Sequence, residues 1–249
     1  MSFSEEDRHE LQCAKNLLEN PGFVAKLTNI IGMPIEAALA RLPNSVTSKI
    51  TVITQSALMK ALDAAVFTMK DVPGEKPSNL WHKAGIAVSG GVGGFFGFAG
   101  LSVELPLSTS IMLRSIADIA RSHEERIDTD EAKQACLAVF ALGGRSSKDD
   151  DSETGYYTVR AALAKSLSDG SILKLVATIA ERFSVNVGEK AAAQAIPAIG
   201  AVGGALINLA FINHFQDMAH GHFIIRKLER RYGQKAVQQL YQSLSTLAV

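Results

Sequence analysis

Ser45 to Lys70 reads SVTSKITVITQSALMKALDAAVFTMK, and the spacing of its apolar residues decides the fold class. Val46, Ile50, Ile53, Ala57, Leu58, Ala61, Leu62, Ala65 and Val66 recur three and four positions apart. That spacing lays them along one stripe of a helix, where a strand would need strict alternation. Asn44 or Ser45 is placed to cap this helix and Pro73-Gly74 to stop it. The period returns over Asp130–Leu142, with Ala132, Ala135, Cys136, Val139 and Phe140 on one face and Gly143-Gly144 as the exit. Tyr156–Leu167 and Ile172–Phe183 read as two more helices, divided by Ser168-Asp169-Gly170. β-rich stretches are missing, so the expected fold is all-α. We expect an N-terminal helix or arm over residues 1–19 and one multi-helix domain over 20–249.

Composition narrows the function classes. The 249 residues carry 25 basic and 25 acidic side chains, and this balance lacks the basic stripe on which nucleic-acid binding rests. Charged residues make up 20%, below the usual quarter, and mean hydropathy is positive at +0.13. Both point to unusual apolar surface. Cys13 and Cys136 lie too far apart for a metal motif or a disulfide framework, which favours a reducing compartment. The opening MSFSEEDRHE lacks the pattern of a signal peptide, which predicts a cytoplasmic protein that reaches any membrane from that side.

Two uncharged runs stand out. Ala84–Val103 is AGIAVSGGVGGFFGFAGLSV, and Ala191–Gln216 is AAAQAIPAIGAVGGALINLAFINHFQ. Each is long enough to cross a hydrocarbon core as a helix, which takes about 20 residues. The first run holds eight large apolar residues, worth roughly 0.3–0.6 kcal/mol each on insertion. It also holds seven glycines, each costing a helix about 1 kcal/mol relative to alanine. The two terms are comparable, so a lone lipid-facing helix is marginal and close packing must contribute. Gly90/Gly94, Gly93/Gly97 and Gly200/Gly204 are small-xxx-small pairs that let helix backbones approach. The expectation is two glycine-rich hairpins that pack together and embed or oligomerise; a glycine-packed soluble core is the alternative.

Charges at the edges of these runs add detail. Glu104 lies in an apolar context and needs a cation, with Arg114 or Lys83 as the candidates. Arg226, Lys227, Arg230, Arg231 and Lys235 follow the second run, with Glu229 among them, and are placed to meet anionic headgroups. His214, Asp217 and His220 fall roughly along one helix side and form a candidate metal site. Polar helix surface is the plainer reading of that cluster. Asp149–Asp151 lack the ligand spacing of an EF-hand loop, and Ser89 is not in a nucleophile elbow. The glycine run matches neither G-x-G-x-x-G nor a P-loop. No residue set nominates itself as catalytic, and no cofactor is indicated.

KAGIAVSGGVGGFFGFAGLSVELPLSTSIMLRSIADIA (83–120), DDDSETGYYTVRAALA (149–164) and AIPAIGAVGGALINLAFINHFQDMAHGHFIIRKLERRYG (195–233) together resemble the bacterial EcsC family. The likeness spans about Asn20 to Tyr232. It implies a membrane-proximal accessory protein with ABC transporter subunits as candidate partners, and it brings no catalytic residues. Three readings stay open. The first is a non-enzymatic protein on or partly in the cytoplasmic membrane, contacting lipid, with a homo-oligomer as a candidate assembly. The second is a metal-dependent or other hydrolase using His214, Asp217 and His220. The third is a soluble lipid-binding helical module.

Overall fold

The computed structural model describes residues 3–19, 22–66, 102, 104–143, 155–168, 172–196 and 200–245. Their regular elements are all helices: α1 (Glu5–Glu19), α2 (Gly22–Ile31), α3 (Ile35–Leu39), α4 (Asn44–Val66), α5 (104–122), α6 (Asp130–Leu142), α7 (Tyr156–Ser168), α8 (Ile172–Gln194), α9 (Gly200–Tyr232) and α10 (Gln234–Ser243).

Local chemistry explains several boundaries. The Asp7 amide donates to Ser4 Oγ at 3.1 Å while that hydroxyl donates to the Asp7 carboxylate at 2.6 Å, closing a reciprocal cap at the start of α1. Glu5, Glu6 and Asp7 complement the positive end of the helix dipole there. Thr129 caps α6 by accepting from the Ala132 amide at 3.2 Å. Gly233 has φ 86°, a left-handed conformation that excludes most side chains, and this lets α9 pass into α10 without an intervening loop. α8 runs on to Gln194, well past the expected Phe183. The polar string Ser184, Asn186, Gly188, Glu189 and Lys190 hides the continuation in the sequence, yet Asn186–Ala193 are all buried.

α9 organises the fold. Its 33 residues span about 50 Å at helical rise. α8 runs antiparallel to it, since Gln194 meets Asn208 and Phe183 packs on both Phe211 and Phe215. α5 runs parallel to it, with Glu104 at Asn208 and Ser115 at Gln216. The centre is aromatic: Phe140, Phe183, Phe211 and Phe215 are fully buried, with ring centroids 4.8–5.9 Å apart. Each such side chain contributes about 1.5–3 kcal/mol by leaving water. Around the last turns of α9 a second apolar group gathers Leu11, Ala14, Tyr156, Ile225, Leu228, Val237 and Tyr241 from α1, α7, α9 and α10.

This arrangement sets the described residues of 191–216 into the bundle. The run is divided between the end of α8 and the start of α9, and Ile207, Phe211, Ile212 and Phe215 are in the core. Among the described residues no helix is long and apolar enough to cross a membrane. Of the glycines expected to mediate packing, Gly200 opens α9 and Gly204 is buried, while Gly90, Gly93, Gly94 and Gly97 lie outside the described residues.

A close helix approach comes instead at Gly221, where antiparallel α1 crosses α9. A Cβ there would lie 2.7 Å from Leu18 Cγ and 3.0 Å from the Ala14 carbonyl oxygen. Backbone cannot yield as a side-chain tip can. We expect Gly221→Ala to destabilise the protein by about 1–3 kcal/mol in urea unfolding despite alanine's better helix propensity. Unchanged stability would mean that α1 slides freely along α9.

Candidate functional site

A buried ionic centre ties α5, α8 and α9 together. The Lys190 ammonium, with no solvent exposure, sits 2.7 Å from Glu104 Oε1. Asn208 Nδ2 donates to the same oxygen at 3.4 Å, and Asn208 Oδ1 accepts from Gln194 Nε2 at 3.4 Å. The ammonium also stands 4.8 Å from the centre of the Phe211 ring. Glu104 Oε2 is buried without a hydrogen-bond partner. The sequence expectation of a paired Glu104 is right in kind, but the cation is Lys190; Arg114 lies exposed on α5 and Lys83 lies outside the described residues. A signal for Lys190 was present: one uncharged run ends at Glu104 and the other begins just after Lys190.

Apolar side chains face solvent at this same end. Leu107, one turn beyond Glu104, is 53% exposed; Val202 and Leu206, in the turns before Asn208, are 78% and 47% exposed. Val52 is 67% exposed, two residues from Ile50, which packs at Gly188 near the end of α8. The uncharged run 84–103 enters α5 here. Its residues 84–101 and 103 lie outside the described set.

The candidate metal residues fan out. Three positions advance a helix by 300°, so 214, 217 and 220 diverge through 120° in two steps. His214 donates from Nε2 to the Gly143 carbonyl at 2.9 Å and stacks on Phe23 with centroids 5.0 Å apart. Asp217 lies 4.0 Å from Lys26 of α2. His220 Nδ1 is 3.2 Å from His123 Nε2 in the turn after α5. Among the described residues no three His, Cys, Asp or Glu side chains converge as a metal would require. Burial lowers His214 to about 4. His123 is also lowered to about 4, by burial first and then by the His220, Lys227 and Arg230 charges.

The basic stretch is neutralised from within. Arg226 binds Glu125 at 2.7 Å and Glu131 at 3.1 Å, and Arg230 also pairs with Glu125 while donating to the His123 carbonyl. Lys227 binds Glu10 at 2.9 Å and Arg231 binds Asp7 at 2.6 Å. Lys235 is exposed. The expectation of five headgroup-facing cations therefore meets a surface where four are held by carboxylates from α1, from the turn after α5 and from α6.

Sequence reasoning missed a further buried network. Arg160 grips Glu229 through both carboxylate oxygens at 2.7 and 3.0 Å and donates to Tyr156 OH at 3.2 Å. Tyr156 OH also lies 2.8 Å from His222 Nδ1, while His222 Nε2 is buried without a hydrogen-bond partner. Burial, then the Arg160 and Arg226 charges, keeps His222 neutral far below the usual imidazole range. These residues lie on α7 and α9, with bonded pairs 66 and 69 positions apart, and no local motif joins them. Cys136 is buried and its thiol is pushed up to about 12 by burial, so it is inert as a nucleophile at neutral pH. Cys13 has an imidazole neighbour that the sequence reading overlooked, His9 Nδ1 at 3.8 Å.

The architecture is thus an all-α protein centred on one long helix, with ion pairs joining its helices. Residues 5–228 match the EcsC protein family, and the chain belongs to that family. No curated protein and no solved structure matches it.

Proposed function

We propose that this protein is a non-enzymatic membrane-associated accessory protein of the cytoplasmic face, serving an ABC transporter or another envelope process. It reaches lipid through the end where α5, α8 and α9 meet. One observation carries the reading: the uncharged run 84–103 leads into a corner that already exposes Leu107, Val202 and Leu206. At roughly 0.3–0.6 kcal/mol each, these three add about 1–2 kcal/mol to the marginal balance of that run. The sum favours shallow embedding over a span. The Glu104–Lys190 pair supports this, because a charge held inside the bundle by its counter-ion does not have to enter lipid. Free Cys13 and Cys136 suit a reducing compartment.

Flotation on neutral phosphatidylcholine vesicles tests the proposal. The protein should rise with the vesicles, and Leu107→Ser/Val202→Ser/Leu206→Ser should weaken partition by about tenfold. A protein that stays at the bottom of the gradient with a co-purified lipid would instead be a soluble lipid-binding module.

A further inference from the structure

We propose that α1 is a displaceable acidic strap lying over a binding surface for anionic lipid headgroups, formed by Lys227, Arg231 and Lys235 at the end of α9 and the start of α10. The inference rests on membrane association as read above, but it concerns a different face of the molecule and a different lipid chemistry.

Charge complementarity comes first. α1 carries five carboxylates against Arg8 and Lys15, a net −3. Residues 226–235 carry five cations against Glu229, a net +4. The two meet through Asp7–Arg231 at 2.6 Å and Glu10–Lys227 at 2.9 Å, with Tyr232 OH donating to Asp7 at 2.6 Å. An anionic bilayer offers these same cations a denser array of negative charge.

The grip of α1 is also of a kind that can be released. Leu11 and Ala14 are its only fully buried apolar side chains. Leu18 adds partly buried apolar packing where α1 crosses Gly221, and the rest of the hold is polar: Lys15 Nζ donates to the Tyr241 and Leu244 carbonyls at 3.1 and 2.7 Å, and Gln12 donates to the Ser245 carbonyl at 2.9 Å. The Arg231 side chain is 51% exposed, so a competing anion can reach it and take the place of its carboxylate, whereas a packed apolar face offers no such exchange. Beneath α1 lie Ile225 and Leu228, grouped with Leu11 and Ala14. Lifting α1 would therefore present a basic amphipathic helix face, the chemistry that settles at a headgroup boundary.

Hydrogen exchange on the unmodified chain is the primary test. Amides of residues 5–19 should lose protection when vesicles containing phosphatidylglycerol are added, and should keep it with phosphatidylcholine alone. Unchanged protection on anionic vesicles would overturn the proposal. The variant Asp7→Asn/Glu10→Gln supplies a second readout. It should gain about twenty-five-fold in anionic-vesicle partition, near fivefold for each of the two cations released, and nothing on neutral vesicles. Adding Lys227→Gln/Arg231→Gln should cancel that gain. An equal gain on both vesicle types would mean that only apolar surface was uncovered, which contradicts the strap. Failure of the parent reading looks different: flotation on neutral vesicles is then absent from every form.

Discussion

Lys190→Met should destabilise the protein by about 3–5 kcal/mol in urea unfolding, the largest effect of any single substitution considered. The replacement fills much the same volume but leaves Glu104 as a carboxylate with no cation and only 5% exposed. Asn208 contributes one long hydrogen bond at 3.4 Å, and Oε2 has none to lose. The cost comes from stranding one charge and does not measure the worth of the pair. Lys190→Met/Glu104→Leu should accordingly recover most of the loss, because a well-packed apolar pair is often as stable as a buried ionic one. A single-variant loss below about 1 kcal/mol would show that water reaches the carboxylate.

Acid should unfold the protein earlier than its carboxylates alone require. His214 titrates near the ordinary imidazole value of 6.5 when unfolded and at about 4 when folded, so the unfolded chain binds the extra proton throughout that interval. The unfolded state is therefore favoured as pH falls, and the stability conferred by neutral His214 is full above 6.5 and lost progressively towards 4. The shift corresponds to about 3 kcal/mol at its lower limit. His222 acts in the same direction from a fully enclosed site. His123 adds less than its shift suggests, because solvent screens its partly exposed ring. His214→Gln keeps a side-chain N–H for the Gly143 carbonyl and should flatten the stability profile between pH 6.5 and 4. An unchanged slope would mean that His214 is charged in the native state.

The helices were legible where their chemistry is local. Asp130–Leu142 carries its cap, its apolar period and its glycine exit within fifteen residues, and the structure ends it where the sequence does. α7 is read to within one residue for the same reason. α8 was cut short because a buried ionic residue reads as surface until its partner 86 positions away is known. The same blindness affects the cations of α9. Arg226, Lys227, Arg230 and Arg231 look like a free basic patch in sequence, and the carboxylates that hold Lys227 and Arg231 come from α1, more than 200 positions earlier. Gly221 was passed over because it has no small partner three or four residues away; its requirement is set by Ala14 and Leu18 of another helix. The family resemblance, by contrast, rested on motifs contiguous in the chain, and residues 5–228 bear it out.

The apolar corner and the run that enters it are the heart of the functional account, and Trp81 reports on both. It is the single tryptophan of the chain, three residues before the uncharged run begins. Its fluorescence should shift to the blue when neutral vesicles are added and should be quenched by lipids brominated high on their acyl chains, more than by lipids brominated near the methyl ends. Emission that is indifferent to vesicles and to bromine at either depth would contradict shallow embedding of this segment.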